Sequence, residues 1–180
     1  GEGNSLTGDL DIRENLTING AGATVTIVDG DGIDRVIEIH SGSTVVISGI
    51  TVQSGNVDDL GGGIYNERGT LTLTNSAVNG NTVYQGGGGI TNNSFATLTL
   101  NNSTVSGNSA GDNGGGIRAI GAFTLTNSMV TGNTAGSLGG GIFDNSSSGT
   151  LIQTTVSGNY SAEFGGGVYN AGSRGTRISL

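Results

Sequence analysis

The sequence predicts an all-β fold, a parallel β-helix (β-solenoid) with about 26 residues and three short strands in each of about 6 to 7 turns. The residue after each glycine triplet falls at Ile64, Ile90, Ile117, Ile142 and Val168, a period of 25 to 27 residues. Apolar and polar residues alternate in short runs bounded by Gly, Asn, Asp and Ser, which is typical of strands and turns. No window has apolar residues at helical spacing, so we expect no substantial helix.

We expect a single domain over residues 1–180, of which residues 1–60 are the less regular part. Alternation is plain there at residues 24–27, 35–39 and 44–47, although ten of the twenty charged residues precede position 40. Regular repeats fill residues 61–180, where 71–76 matches 98–103 and 123–128, and the last turn is incomplete. Since side chains alternate across a strand, Ile64, Leu71, Leu73, Val78 and their equivalents are predicted to stack inside the solenoid, ~4.8 Å apart.

Polar residues recur at the same period and predict the corners of the solenoid. Stacked amides hydrogen-bond along such columns, so we expect an asparagine ladder formed by Asn56, Asn81, Asn108, Asn133 and Asn159. Asn75, Asn102 and Asn127 mark a second corner, where Asn tolerates a left-handed backbone. We also expect the glycine triplets to turn the backbone with positive φ.

Composition limits the classes of function. The formal net charge is −8 and all six basic residues are Arg, which argues against nucleic-acid binding. No apolar run is long enough to predict a membrane span. No charged segment followed by an apolar one opens the sequence, so we expect a secretion signal to be either absent or already removed. The chain has 37 Gly and no Pro, without a Gly-X-Y pattern, which excludes collagen.

The pairing of Val-x-Gly-Asn with Gly-Gly-Gly-Ile resembles the Phe-x-x-Asn and Gly-Gly-Ala-Ile repeats of polymorphic outer-membrane proteins and related large bacterial surface proteins. Val78, Val105, Val130 and Val156 stand where that family has Phe; Gly63, Gly89, Gly116 and Gly141 stand where it has Ala. The resemblance covers nearly the whole chain. It implies a right-handed, single-stranded parallel β-helix and an exported, structural or adhesive role.

Two outward surfaces are candidates for binding. The first is a threonine array similar to the ice-binding faces of flat β-solenoids: Thr70, Thr72, Thr74, Thr97, Thr99, Thr124, Thr126 and Thr150. Threonine is also simply a common exposed strand residue. The second is a strip of residues that follow the inward Ile or Val: Tyr65, Thr91, Arg118, Phe143 and Tyr169. Its aromatic rings and Arg could stack on sugar rings or contact a protein partner, or merely shield the glycine-rich side.

A calcium site and an enzyme active site are two further hypotheses. Asp29, Asp31 and Asp34 have the spacing of the start of a calcium loop but lack its later ligands, and Asp-Gly pairs also form plain turns. No other cofactor is indicated. A polysaccharide lyase or hydrolase needs converging carboxylates or a base. His40 is the single histidine, and we expect it to be a turn residue after the strand ending at Ile39.

The sequence therefore predicts a non-enzymatic extracellular or cell-surface structural or adhesive module, with a glycan or a surface protein as partner. A carbohydrate-binding or carbohydrate-active β-helix is the second hypothesis, and ice binding through the threonine array is the third. We also expect copies to stack end to end, or the chain to be part of a longer solenoid, because open strand edges invite pairing.

Overall fold

The computed structural model describes residues 8–146, 148–172 and 177–179, the last three by their backbone alone. Within these residues the chain winds into a β-solenoid of about six turns, all of its paired strands are parallel, and no helix is present. The predicted fold class is therefore confirmed. None of the described segments is a helix that could cross a membrane. The right-handed sense remains a prediction.

Four parallel sheets run along the solenoid, and their strands are numbered in chain order. Sheet A contains β1 (Leu10–Ile12), β4 (Ile37–Ile39), β8 (Ile64–Asn66), β12 (Ile90–Asn92), β16 (Ile117–Ala119), β20 (Ile142–Asp144) and β24 (Val168–Asn170). Sheet B contains β2 (Leu16–Asn19), β5 (Thr44–Ser48), β9 (Thr70–Thr74), β13 (Thr97–Asn101), β17 (Ala122–Thr126), β21 (Gly149–Ile152) and β25 (Arg177–Ser179).

The other two sheets have shorter strands. Sheet C contains β3 (Ile27–Asp29), β6 (Thr51–Gln53), β10 (Ala77–Asn79), β14 (Thr104–Ser106), β18 (Met129–Thr131) and β22 (Thr155–Ser157). Sheet D contains β7 (Asn56–Val57), β11 (Thr82–Val83), β15 (Ser109–Ala110), β19 (Thr134–Ala135) and β23 (Tyr160–Ser161). Sheets A, B and C supply the three predicted strands of each turn, and sheet D adds a fourth. The sequence reasoning missed sheet D because a strand of two residues is too short to show alternation.

The core is a set of apolar columns along the solenoid axis. Ile64, Leu71, Leu73 and Val78 are at most 1% exposed, and their equivalents in the next two turns are at most 2% exposed. Strand pairing places Leu71 beside Leu98 and Leu98 beside Phe123. Each buried aliphatic side chain contributes about 1.5 to 3 kcal/mol, so stability accumulates turn by turn. The predicted inward set is confirmed.

The glycine triplets are required for two different reasons. The first glycine of each triplet has φ between 66° and 73°, in the left-handed region: Gly61, Gly87, Gly114, Gly139 and Gly165. The second and third glycines do not have positive φ, so the prediction is wrong for them. Instead, a Cβ on Gly88 would lie 2.5 Å from the carbonyl oxygens of both Ser109 and Gly115. The triplets therefore allow one tight turn and then close backbone packing.

The second asparagine corner has the predicted backbone conformation. Asn75, Asn102 and Asn127 have φ of 50°, 49° and 50°. In the next turn the sequence departs from the repeat, and Gln153 stands at the equivalent position. Gln153 has the same left-handed conformation, with φ of 47°. A short polar side chain tolerates this conformation better than a β-branched one, which explains why Asn recurs here.

Candidate functional site

The asparagine ladder is a buried hydrogen-bonded column formed by Asn81, Asn108, Asn133 and Asn159. Asn108 Oδ1 accepts hydrogen bonds from the backbone N and from Nδ2 of Asn81, at 3.0 and 2.9 Å. Asn108 Nδ2 donates to Val78 O and to Asn133 Oδ1, at 3.0 and 2.9 Å. Because these amides satisfy buried backbone groups at every turn, the ladder holds the fold and offers no free surface.

Asn56 does not belong to this ladder, and the prediction is wrong for this residue. Asn56 is exposed and pairs with Thr82 in sheet D. Gly55 takes the corner instead, where its N–H donates to Asn81 Oδ1 at 2.8 Å. The left-handed residue of this turn is Ser54, with φ of 56°, so the corner falls one residue before the position that the Gly-Asn motif predicts.

A second buried polar column, between sheets A and B, was missed by the sequence reasoning. Asn66 and Asn92 are fully buried, and Asp144 is 1% exposed. Asn66 Nδ2 donates to Asn92 Oδ1 at 2.9 Å, and Asn170 Nδ2 donates to Asp144 Oδ2 at 3.1 Å. The signal in the sequence was the recurrence of Ile-x-Asn and Ile-x-Asp at the solenoid period, which Ala119 interrupts between Asn92 and Asp144. These side chains form hydrogen bonds at the turn that joins sheet A to sheet B.

The predicted threonine array forms one face of sheet B, which we call the threonine face. Its central column is Thr72, Thr99, Thr124 and Thr150, paired in register across β9, β13, β17 and β21. Two flanking columns contain Thr70, Thr97 and Ala122, and Thr74, Asn101, Thr126 and Ile152. Neighbours are spaced ~4.8 Å along the columns and ~6.6 Å across them. All these side chains are exposed or half-buried.

The threonine face carries no charge. The described outward positions of sheet B from β5 to β21 hold Thr, Ser, Val, Asn, Ala and Ile. The outward positions of sheet C from β6 to β22 are uncharged as well. Arg177 of β25 is the register partner of Thr150, so the uncharged part of sheet B is the part from β5 to β21.

The aromatic strip forms the predicted column on the outer face of sheet A, but much of it is covered. Tyr65, Thr91, Arg118, Phe143 and Tyr169 are register partners in successive strands. Thr91 is fully buried and donates a hydrogen bond to Gly86 O at 2.9 Å, while Phe143 is 8% exposed. Phe143 stacks on Tyr169 with ring centroids 5.9 Å apart. The loop before Gly87 lies against Thr91 and Arg118, so this part of the column is not open to a sugar.

Arg118 lies in the middle of this strip and is half-buried. Its Nη1 atom is buried and has no hydrogen-bond partner in the described part of the chain. Burial lowers the pKa of Arg118, while the nearby carboxylates of Asp112 and Asp59 act in the opposite direction. A Cβ on Gly86 would lie 2.7 Å from Arg118 Cδ, so the side chain lies directly beneath the loop.

The predicted calcium loop adopts a turn. Asp29 Oδ1 accepts a hydrogen bond from Asp31 N at 2.9 Å, and Asp29 Oδ2 accepts one from Gln53 Nε2 at 2.6 Å. The Gln53 hydrogen bond is the main reason that the pKa of Asp29 is lowered. Among the described residues, Asp29, Asp31 and Asp34 are not a group whose oxygens lie within 4.8 Å of one another. Their geometry supports the plain turn.

Metal-ligating side chains converge elsewhere, on the outer face of sheet A in its first turns. We call Asp11, Glu38, His40 and Glu67 the His40 cluster. His40 Nε2 lies 2.5 Å from Asp11 Oδ1, and His40 Nδ1 lies 3.8 Å from Glu38 Oε1 and 3.9 Å from Glu67 Oε2. The hydrogen bond with His40 is the main reason that the pKa of Asp11 is lowered. Each of the four side chains is exposed or half-buried.

Sequence reasoning placed His40 after the strand ending at Ile39, which is correct, but missed the carboxylates around it. Asp11 and Glu38 are paired in register in β1 and β4, and Glu67 follows β8 as His40 follows β4. The signal was the spacing of 27 residues from Asp11 to Glu38 and from His40 to Glu67, one solenoid turn. This spacing was not recognised because the first turns repeat less regularly, so the residues that pair between them could not be aligned from the sequence.

Comparison of the chain with protein-family models, curated proteins and solved structures gave no match. The resemblance to the repeats of bacterial surface proteins therefore supports a proposal only, whereas the solenoid itself is shown by the structure.

Proposed function

We propose that the chain is a non-enzymatic structural or adhesive module of an extracellular or cell-surface bacterial protein, and that its threonine face binds a glycan. The observation that carries this proposal is the set of threonines aligned in columns on an uncharged part of sheet B, in a strongly acidic chain. Hydroxyl groups donate and accept hydrogen bonds, and the methyl groups beside them offer apolar contact. A sugar chain presents the same mixture of hydroxyl groups and C–H surface. The resemblance of the repeats to bacterial surface proteins supports the proposed location.

A bulky charged side chain in the centre of the threonine face tests this proposal. Thr99→Arg is expected to lower the amount of protein that binds to insoluble cellulose, chitin or peptidoglycan at least tenfold, because the new side chain holds the partner away from the flat surface. Thr104→Arg is the matched control, since Thr104 is a similarly half-buried residue on the neighbouring sheet C. Equal binding by the two variants would contradict the assignment of the face.

Ice binding is a different use of the same face, supported by the regular spacing of the hydroxyl and methyl groups. It predicts measurable thermal hysteresis in the wild-type protein and its loss in Thr99→Arg. If the wild-type protein shows neither hysteresis nor polysaccharide binding, the threonine face has neither proposed role. Light scattering on the same samples tests the proposed end-to-end stacking, which would give species larger than one chain.

A carbohydrate-active β-helix is the second candidate, favoured by the histidine, acids and Arg that meet on sheet A. Carboxylates near one another are what glycoside hydrolysis requires. This candidate predicts that the protein releases reducing ends or unsaturated products from a panel of polysaccharides, and that His40→Ala abolishes the release. Activity that survives in His40→Ala would exclude the His40 cluster as its source.

A further inference from the structure

We propose that the His40 cluster is a divalent-metal site of the zinc class. One ring nitrogen of His40, Asp11 Oδ1 and Glu38 Oε1 are the proposed ligands, with Glu67 or a water molecule in the fourth position. The proposal concerns sheet A alone and goes beyond the proposed function of the threonine face.

The distances within the cluster fit such a site. One ligand atom each from Asp11, Glu38 and His40 can be chosen so that all lie within 4.8 Å of one another. Zinc bonds of about 2.0 to 2.2 Å in a tetrahedral arrangement place ligand atoms roughly 3.3 to 3.6 Å apart. His40 Nε2 lies 2.5 Å from Asp11 Oδ1, whereas His40 Nδ1 lies 3.8 Å from Glu38 Oε1 and 3.9 Å from Glu67 Oε2. An ion bound to one ring nitrogen therefore requires the carboxylate beside the other nitrogen to move towards it.

Two arginines orient the proposed ligands from outside. Arg13 Nη2 contacts Asp11 Oδ2 at 3.2 Å, and Arg35 Nη1 contacts Glu38 Oε2 at 2.8 Å. In each carboxylate the other oxygen, Oδ1 or Oε1, is the one that points to His40. Metal-binding carboxylates are commonly held by such outer hydrogen bonds, which fix their orientation. The largely buried Arg35–Glu38 pair therefore fixes Glu38, while the exposed Arg13–Asp11 pair restrains Asp11 more weakly.

The balance of charge also favours a bound cation. Asp11 lies directly opposite Glu38 in the β1–β4 pairing, and like charges in that position destabilise a sheet. The acidic side chains that surround His40 are Asp11, Glu38 and Glu67, and the arginines that contact them are Arg13 and Arg35. Acids outnumber arginines around His40, which favours a bound cation. A histidine nitrogen in the ligand set selects zinc over calcium or magnesium, which prefer oxygen alone.

A metal ion held by Asp11, Glu38 and His40 would join two successive turns, because Asp11 belongs to β1 and Glu38 belongs to β4. With Glu67 in the fourth position, the ion would also join the turn that contains β8. Because an ion that binds the folded chain shifts the folding equilibrium, the thermal stability of the chain should rise with the zinc concentration.

The test uses the full chain after treatment with EDTA and dialysis. Titration with ZnCl₂ in a calorimeter is expected to give saturable binding of one ion per chain, accompanied by a rise in Tm, whereas CaCl₂ at the same concentrations gives neither. His40→Ala and Asp11→Asn should raise the Kd for zinc at least tenfold. Arg13→Gln, which removes only the outer hydrogen bond to Asp11, should raise it about tenfold.

Asp58→Asn is the matched control, because Asp58 is an exposed acid outside the cluster, and it should leave the zinc Kd unchanged. Circular dichroism checks that each variant folds. If His40→Ala does not fold, CoCl₂ bound to the wild-type chain gives a second readout, since a tetrahedral site produces intense visible absorption. Absence of saturable zinc binding, zinc binding that is unchanged in His40→Ala, or a cobalt spectrum of hydrated ion would each overturn the proposal.

Discussion

Asn108→Ala is expected to lower the free energy of unfolding by about 3 to 5 kcal/mol. The substitution leaves the buried backbone N–H of Asn81 without its acceptor, and Asn81 Nδ2 loses Asn108 Oδ1 while it keeps Val52 O and Asn79 O. Val78 O loses its donor as well. Each buried group left without a partner costs about 1 to 3 kcal/mol, whereas the methyl group of Ala cannot replace any of these bonds. Urea unfolding followed by circular dichroism measures the loss.

Asn56→Ala is the control for this prediction. Asn56 follows a glycine as Asn108 does, yet it is exposed and lies outside the ladder. Its replacement should change the free energy of unfolding by no more than about 0.5 kcal/mol. A similar loss in both variants would show that the Gly-Asn motif acts locally, and the ladder would then not be the source of the stability.

Gly88→Ala is expected to cost about 3 to 5 kcal/mol or to prevent folding of the turns around it. The new Cβ would lie 2.5 Å from two backbone carbonyl oxygens, which belong to Ser109 and Gly115 in the next turn. Backbone atoms held in a parallel ladder cannot rotate away, so the turns must separate. The same measurement of urea unfolding applies, together with limited proteolysis to locate the opened turns.

Gly80→Ala separates this crowding from ordinary backbone strain. Gly80 has φ of 63°, but a Cβ there meets nothing within 4 Å. Its replacement should cost only about 1 to 2 kcal/mol, the penalty of a left-handed backbone for a residue with a Cβ. If Gly80→Ala proved the more damaging substitution, positive φ and not close packing would be the reason for the glycine-rich repeats.

The surfaces of the solenoid differ in their chemistry. The outer faces of sheet B from β5 to β21 and of sheet C from β6 to β22 are uncharged, whereas acids, arginines and the single histidine gather on sheet A in its first turns. A face without charge suits a neutral partner, and a cluster with excess negative charge suits a cation. The two proposals therefore concern separate surfaces, and each can fail without the other.

Much of this structure could be predicted because the repeat imposes the same environment once in every turn. Alternation along Leu71–Leu73 was enough to separate the buried residues from the outward threonines, since a strand side chain has only two faces to choose between. The positive φ of Asn75 and its equivalents followed from the limited set of residues that tolerate it. Neither prediction needed the exact position of neighbouring turns.

The sequence by itself determined the solenoid, its period, its core columns and the threonine face. Only the tertiary structure decided which residues meet across turns, because register is a property of paired strands and a shift of one residue changes every neighbour. The tertiary structure placed Asn56 outside the ladder, buried Phe143 against Tyr169 and brought Asp11, Glu38 and Glu67 around His40. Apart from Glu38 and His40, the residues in contact are more than twenty positions apart, so no local pattern in the chain could specify them.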